Sequence, residues 1–425
     1  MSTSHFSVQQ HTLPCAHIRE FARATADTQE DVLHLAIKQY TPLDNPDPQP
    51  GDLTIIGAHA NGFPKELYEP LWDEVYIRLK ISNIRIRNIW IADVAHQGQS
   101  SVLNEDKLGD DPSWFDHPRD LFLMINHFRA QMPRPIVGIG HSMGGSHLVN
   151  LSFIHPRLFS TLVLIDPVMQ RVASVTGNFA PAQASTLRRD RWPSRAAARA
   201  AFQRSKFYQT WDPRVLDLWI SYGLRDLPTL LYPEATPASA TPPTISADIA
   251  GATPSPAPDT EKEVTLTTTK HQEVLTFVRP NFPTPSHPNP GSDPNPLTHP
   301  DIDPRGLAPT TPSTAPNRCR PSYASLIYAP ASCSGGAPKG RVKEVLMQDT
   351  GHLIPMEKVQ ETSEHVVQWL VPELGRWREA DEAEREEWRQ VPKEAKARMS
   401  GEFVENMLGG WLGEKGVQRK GKAKL

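Results

Sequence analysis

Gly140-His141-Ser142-Met143-Gly144 decides how the rest of the chain is read. The pentapeptide has the spacing G-x-S-x-G. A short apolar run, Pro135-Ile136-Val137-Gly138-Ile139, leads into it, and the helix-compatible segment Gly145-Ser146-His147-Leu148-Val149-Asn150-Leu151 leaves it. Strand, sharp turn and helix is the setting in which a serine is held in a strained backbone conformation with its hydroxyl projecting over the end of a sheet. Glycines flank the turn because it leaves no room for side chains. The pentapeptide alone recurs by chance, and the plainer reading is a Gly-rich strand-to-helix turn without chemistry. The flanking elements favour a nucleophilic serine.

Working outward, apolar runs alternate with amphipathic segments. Two strands are expected between residues 5 and 42, one at His17-Ile18-Arg19-Glu20-Phe21 and one at Val32 to Tyr40. Leu53-Thr54-Ile55-Ile56-Gly57-Ala58 has the composition of a strand buried on both faces, and a helix over 65–80 follows it. Ile84 to Ala92 reads as a strand, 113–131 as a helix, and Thr161-Leu162-Val163-Leu164-Ile165 as another buried strand ending at Asp166-Pro167. Such alternation predicts a mostly parallel central sheet flanked by helices.

The pattern breaks near residue 182. Segments 193–206 and 213–223 are helical and rich in aromatics, and residues 233–316 then hold 19 of the 42 prolines. A structureless stretch of that length does not fit inside a compact domain. Residues 182–282 are therefore expected to be a cap insertion, disordered near 233–262, with one structured piece, a short helix or strand pair, from Val264 to Arg279. A Pro-rich disordered linker is expected over 283–318. Residues 1–181 and 319–374 form the two parts of the core, with strands at Ser325–Tyr328 and Val342–Met347 and a helix over 356–371. Residues 375–425 form a charged helical tail, broken near Pro392.

Composition excludes several classes. The net charge of −3 gives no bulk attraction to nucleic acid. Three cysteines, Cys15, Cys319 and Cys333, lack metal-ligand or redox spacing and suit a reducing compartment. No run is long and apolar enough to span a membrane, and no metal or cofactor is expected.

A nucleophilic serine needs a histidine base and an orienting acid, in the chain order Ser, Asp/Glu, His for this kind of turn. His352, in Asp349-Thr350-Gly351-His352-Leu353-Ile354-Pro355, follows the last apolar strand and precedes a helix, which makes it the expected base. Its plain alternative is a helix-entry histidine bonded to backbone. His141 points away from its neighbour Ser142, and His96 is compatible with an ordinary loop residue. The loop after Tyr328, the usual place for the acid, contains no Asp or Glu. Asp349 is too close to His352 in sequence to reach around to its ring, and Asp301 and Asp303 fall in the Pro-rich linker. Asp166 remains, at the carboxyl edge of the strand after the serine unit; its plain alternative is a cap for the turn that follows. Two backbone N–H donors are expected to form the oxyanion hole, one from Met143 and one from around Asn61 in His59-Ala60-Asn61-Gly62. His59, Gly62 and Phe63 then border the substrate, although His59 can equally serve only to pin the loop.

At these residues the chain resembles a known family. Pro64-Lys65-Glu66-Leu67-Tyr68-Glu69-Pro70-Leu71-Trp72, Gly138 to Gly145, His155-Pro156-Arg157-Leu158-Phe159 and Ser334-Gly335-Gly336 are similar to the fungal α/β-hydrolases of secondary-metabolite clusters. These are the toxin-biosynthesis hydrolases and the peroxisomal acyl-CoA hydrolase of mycophenolic acid biosynthesis. The resemblance covers about 5–230, 264–282 and 335–372. It implies an α/β-hydrolase fold with a cap, an acyl-CoA thioesterase or related activity, and a triad whose acid follows the strand after the serine turn. That agrees with Ser142, Asp166 and His352. The segment between Tyr328 and Ser334-Gly335-Gly336 is shorter than the family pattern, which has a helix there.

The chain ends Ala423-Lys424-Leu425, one step from a Ser-Lys-Leu peroxisomal address. This predicts an import receptor as a partner and the peroxisomal matrix as the location, the cytoplasm otherwise. Arg191, Arg195 and Arg199 share a helix face by their i, i+4 spacing and could meet the phosphates of coenzyme A, with a solvated basic face as the plainer reading. Three readings follow: an acyl-CoA thioesterase; a carboxylesterase or lactonase acting on a small hydrophobic ester; and a binding protein on the same fold, if the shortened loop misplaces His352.

Overall fold

The computed structural model describes residues 4–169, 175–233, 262–278, 323–329 and 341–409. Nearly all of 233–262, all of 283–318, Cys319, Cys333, the loop after Ala329 and the terminal Ala423-Lys424-Leu425 lie outside the described residues. The chain divides into two compact units, Met1–Glu373 and Leu374–Leu425.

The first unit is built on an eight-stranded sheet. Its strands are β1 (Phe6–Pro14), β2 (His34–Pro42), β3 (Leu53–Ala58), β4 (Ile86–Ala92), β5 (Ile136–His141) and β6 (Thr161–Ile165), followed after the cap by two more. The cap carries β7 (Arg191–Trp192), β8 (Leu224–Asp226) and β9 (Val264–Leu266), and the sheet closes with β10 (Tyr323–Ala329) and β11 (Lys343–Gln348). The spatial order is β1-β2-β4-β3-β5-β6-β10-β11. The pairs β4–β3, β3–β5 and β5–β6 are parallel. The outer pairs β1–β2, β2–β4, β6–β10 and β10–β11 are antiparallel. The sheet is thus mixed, a parallel centre with antiparallel margins.

Every residue of β3, β5 and β6 is buried, which explains their continuous apolar runs. Each fully buried Leu, Ile or Val side chain there contributes about 1.5–3 kcal/mol to stability. Helices Glu69–Ile81, Asp116–His127 and Met143–Ile154 connect the parallel strands. The expected helix over 65–80 is a 3-10 turn, Lys65–Tyr68, leading into an α-helix whose first turn holds Pro70, where a missing N–H costs nothing.

The first expected strand is corrected. His17–Phe21 is not a strand: Ile18 has φ 56°, and Arg19 is buried with both terminal nitrogens 2.9 Å from the Asp120 carboxylate. Ion pairing of a buried guanidinium fixes this loop, not alternation of apolar residues. The real first strand, Phe6-Ser7-Val8-Gln9-Gln10-His11-Thr12-Leu13-Pro14, lies at the sheet margin with much of its surface wet, so its polar content conceals it.

A second sheet, β7-β9-β8, belongs to the cap, with helices Val175–Leu187, Arg195–Arg204, Lys206–Gln209, Pro213–Tyr222 and Lys270–Phe277. The piece from Val264 is therefore one strand plus one helix. Helix Val359–Gln390 runs unbroken through Pro372, where the sequence suggested two segments. Buried Val366, Val367, Trp369 and Leu370 anchor the turns ahead of the proline. This outweighs the one hydrogen bond it removes. In the second unit that helix ends at Gln390, and a further helix spans Gly401–Gly409.

Candidate active site

β5 delivers Ser142. The residue has φ 55° and ψ −118°, a conformation that L-residues avoid. Two glycines make the turn possible. A Cβ on Gly140 would lie 2.6 Å from the Gly144 carbonyl oxygen, and one on Gly144 would lie 2.2 Å from that of Ala58. The Ser142 N–H donates to Ile165 O at 2.9 Å and its carbonyl accepts from Val168 N at 3.1 Å. The serine turn is therefore stitched to the end of β6.

Register does the rest. β5 and β6 are parallel with His141 opposite Ile165, so Ser142 and Asp166 emerge side by side at the carboxyl edge. Asp166 has φ 39°, which turns the chain at once out of the strand. β10 runs antiparallel to β6, with Leu326 opposite Ile165 and Ala329 opposite Leu162. Its own end thus lies at the far edge of the sheet, and a loop there starts on the wrong side to supply an acid. β11 runs back antiparallel to β10, with Tyr323 opposite Gln348, and returns the chain to the carboxyl edge just before His352.

The three side chains meet. His352 Nε2 is 2.7 Å from Ser142 Oγ, and His352 Nδ1 is 2.5 Å from Asp166 Oδ2. Ser142 is only 6% exposed. Asp349 is not the imidazole's partner in this arrangement.

The loop after β3 lies beside the serine turn, Gly144 touching Ala58. The Ala60 N–H donates to Tyr68 Oη at 2.8 Å, and the Gly62 N–H donates to Gln97 Oε1 at 2.8 Å. Between them, the Asn61 N–H has no such acceptor among the described residues. The Asn61 side chain faces elsewhere: Nδ2 donates to Glu273 O at 3.0 Å and Oδ1 accepts from Gln97 Nε2 at 2.6 Å. Gly62 has φ 84°, and a Cβ there would lie 2.8 Å from the Glu273 carboxyl carbon. His59 is fully buried, Nδ1 donating to Ala60 O at 2.8 Å and Nε2 accepting from Val94 N at 2.9 Å. Burial holds its pKa below the usual imidazole value, partly opposed by Asp93. His59 thus pins the loop and does not border a substrate. Phe63 meets the cap aromatics Trp211 and Trp219 at ring distances of 5.8 and 5.9 Å.

The cap arginines are engaged inside the cap. Arg191 reaches both Glu263 carboxylate oxygens at 2.8 and 2.9 Å. Arg195 pairs with Asp226 at 3.0 Å and donates to Ile220 O at 2.7 Å, and Arg199 pairs with Asp217 at 2.6 Å. Arg191 precedes the helix Arg195–Arg204, so the three do not form one helix face.

Sequence reasoning missed the residues that hold the loop from below. Gln97 is fully buried and also donates to Thr276 Oγ1 at 3.1 Å. His96 Nε2 is 2.8 Å from the same hydroxyl, and burial lowers its pKa to about 3. Trp114 Nε1 donates to Thr276 O at 2.8 Å. The polar loop at 93–100 was the only visible signal, and it names no partner 180 residues away. Among the described residues no group of three or more His, Cys, Asp or Glu is arranged to hold a metal ion, and no helix is long and apolar enough to cross a membrane.

The family model for alpha/beta hydrolases matches residues 55–365. The chain belongs to the alpha/beta hydrolase family, and it is an enzyme. Within this family it is 41% identical over 415 residues to the type I acyl-CoA thioesterase mpaH of Penicillium roqueforti (strain FM164), covering 90% of this chain and 91% of the relative. The mpaH' thioesterase of Penicillium brevicompactum matches to the same extent. An abhydrolase domain-containing protein of Alternaria alternata, AFT2-1, is 27% identical over 277 residues, covering 60% of this chain and 95% of that protein. Among solved structures, the peroxisomal alpha-beta-hydrolase Lpx1 of Saccharomyces cerevisiae superposes with a TM-score of 0.50 at 19% identity, covering 65% of this chain and 68% of that one, a likeness of fold.

Proposed function

We propose that this hydrolase cleaves an acyl-CoA thioester to a free carboxylic acid and coenzyme A, in fungal secondary metabolism. The observation that carries the chemistry is the His352 imidazole, hydrogen-bonded to Ser142 Oγ through one nitrogen and to Asp166 through the other. The choice of thioester is supported by 41% identity, over nine-tenths of both chains, to proteins named as acyl-CoA thioesterases.

His352 takes the Ser142 proton as Oγ attacks the acyl carbon. Asp166 orients the ring and stabilises the imidazolium that forms. The developing oxyanion is met by the Met143 N–H at the start of a helix and by the Asn61 N–H, since the N–H groups on either side of Asn61 are occupied by Tyr68 and Gln97. The thiol departs with the proton from His352. The same base then activates water, which releases the acid and frees Ser142. Arg191 and Arg195 have no part in this proposal, because each already balances an acid of the cap. The proposed location is the peroxisomal matrix, with Ala423-Lys424-Leu425 as the address that an import receptor reads in the cytoplasm before delivery.

The test is release of free thiol from a panel of aromatic and medium-chain acyl-CoAs by the purified chain, beside Ser142→Ala. Thiol release lost in the variant supports the proposal. Cleavage of simple aryl esters with no thiol release assigns the protein to esterase chemistry and contradicts it. A fluorescent fusion ending in the native triplet, compared with one lacking it, tests the location: identical diffuse distributions would remove the targeting claim.

A further inference from the structure

We propose that Tyr68 and His141 form a positioning bridge that ties the oxyanion loop to the backbone of His352, so that the donor side and the base side of the site are set relative to each other by one chain of hydrogen bonds. The bridge rests on the reading of Ser142, Asp166 and His352 given above.

His141 ends β5, next to Ser142, and its ring is fully buried. His141 Nδ1 is 2.8 Å from Tyr68 Oη, and His141 Nε2 is 2.9 Å from the His352 carbonyl oxygen. Tyr68 Oη in turn accepts from the Ala60 N–H at 2.8 Å. Only one placement of protons satisfies all three contacts. A carbonyl oxygen can only accept, so Nε2 carries the hydrogen. In a neutral ring Nδ1 then has a lone pair, so Tyr68 must donate to it, which leaves the phenol oxygen free to accept from Ala60. A second proton on the ring would point Nδ1–H at a hydroxyl already accepting from Ala60, leaving the phenol proton without an acceptor. Burial opposes that state, drawing the His141 pKa down to about 3, with the His352 ring adding to the effect and the His352 carbonyl partly opposing it.

The two ends of the bridge are functional. Ala60 precedes Asn61, whose N–H is the proposed oxyanion donor. The His352 carbonyl belongs to the base itself, whose ring must keep contacts of 2.7 Å to Ser142 and 2.5 Å to Asp166 at once. A misplacement of about 1 Å in such an array costs on the order of a hundredfold in rate. His141 and Tyr68 touch no reacting atom in this scheme and act through other groups.

Three variants separate positioning from bulk packing. Gln at position 141 carries an amide N–H where Nε2 stands and retains the link to His352. Asn at 141 reaches only the Nδ1 position and retains the link to Tyr68. Tyr68→Phe cuts the chain at its centre. Expected are losses in kcat of roughly ten- to a hundredfold for His141→Asn and Tyr68→Phe. His141→Gln, which keeps the link to His352 but cuts the one to Tyr68, is expected to lose a similar factor, the double variant Tyr68→Phe/His141→Gln no more than either alone, and KM to stay within about threefold throughout. Losses that multiply in the double variant, or a Tyr68→Phe enzyme that folds and turns over normally, overturn the bridge. A measurement that needs no turnover is the nitrogen-15 spectrum of histidine-labelled protein, with the His141 signals assigned by their loss in His141→Gln. A neutral ring protonated on Nε2 is expected at neutral pH. Protonation on Nδ1, or on both nitrogens, refutes the bridge even if the variants misfold. Failure of the serine-hydrolase reading would show separately, as wild-type thiol release that Ser142→Ala does not abolish.

Discussion

The carboxyl edge of the sheet and the seam beneath the cap are both dense with polar side chains, yet they are assembled differently. At the edge, each group stands just beyond the end of its own strand: Ser142 after the buried β5, Asp166 after the buried β6, and His352 four residues after the largely exposed β11. Strand register alone brings them together. At the seam, Asn61, Gln97, Glu273 and Thr276 come from two core loops and one cap helix, and they are joined by side-chain hydrogen bonds that cross between those elements. The edge is made by the strands; the seam is made by side chains that join two loops to the helix Lys270–Phe277. Damage to the first should remove chemistry and leave the protein intact, whereas damage to the second should cost stability and rate together.

The largest contrast should come from the acids. Asp166→Asn is expected to lower kcat by about 10⁴ with little change in unfolding temperature, because the wrong tautomer of His352 is then favoured. Asp349→Asn, three residues before the base, should stay within about twofold in steady-state kinetics. Similar losses in both would return the acid to an open question.

Acid should act on the buried imidazoles next. Burial lowers the pKa of His59, holds His96 and His141 near about 3, and takes His117 and His147 well below the ordinary value. These rings are neutral when folded and have a pKa of about 6.5 when unfolded. The unfolded chain therefore binds more protons below that value. The stability these rings contribute is complete above about pH 6.5 and is lost as pH falls, at up to about 1.4 kcal/mol per ring per pH unit. For His96 and His141 the loss continues down to about pH 3. The unfolding midpoint should drop by more than about 5 °C between pH 7.5 and 5.5. A flat profile across that window would mean that the rings are charged or exposed.

The seam has a smaller but diagnostic signature. Gln97→Leu strips acceptors or donors from Gly62, Asn61 and Thr276 in a dry setting, at a cost of about 1–3 kcal/mol in chemical denaturation. A several-fold lower kcat should accompany it, since the Asn61 N–H is no longer held. A destabilised variant with wild-type kcat would separate the latch from the oxyanion loop. The smallest effects belong to the cap arginines. Arg191→Ala and Arg195→Ala should each cost about 0.5–1 kcal/mol of stability or less. Neither should change the ratio of KM values for a CoA thioester and its pantetheine analogue. A ratio shifted tenfold would restore those arginines as phosphate ligands.

The same contrast explains what could be read in advance. Buried parallel strands announce themselves as apolar runs, as in Leu53–Ala58 and Thr161–Ile165, and their ends mark where a site must lie. The serine turn was legible from its glycines, and the lack of acids after Tyr328 directed attention to Asp166, whose carboxylate lies against the His352 ring. The antiparallel direction of β10 has no local signature. Phe6–Pro14 was hidden because a margin strand shows polar residues to water, and His17–Phe21 misled because one buried arginine outweighed the alternation around it. Gln97 and Thr276 are ordinary polar residues in sequence, and only their meeting across 179 positions gives them a role.

The most direct test of the central claim is labelling with a fluorophosphonate probe, followed by mapping of the adduct, with and without a competing acyl-CoA. One adduct is expected, on the Ser142 peptide, slowed by acyl-CoA and absent from Ser142→Ala and His352→Ala. An adduct elsewhere, or labelling that survives either substitution, would contradict an activated Ser142 and with it the account of this site.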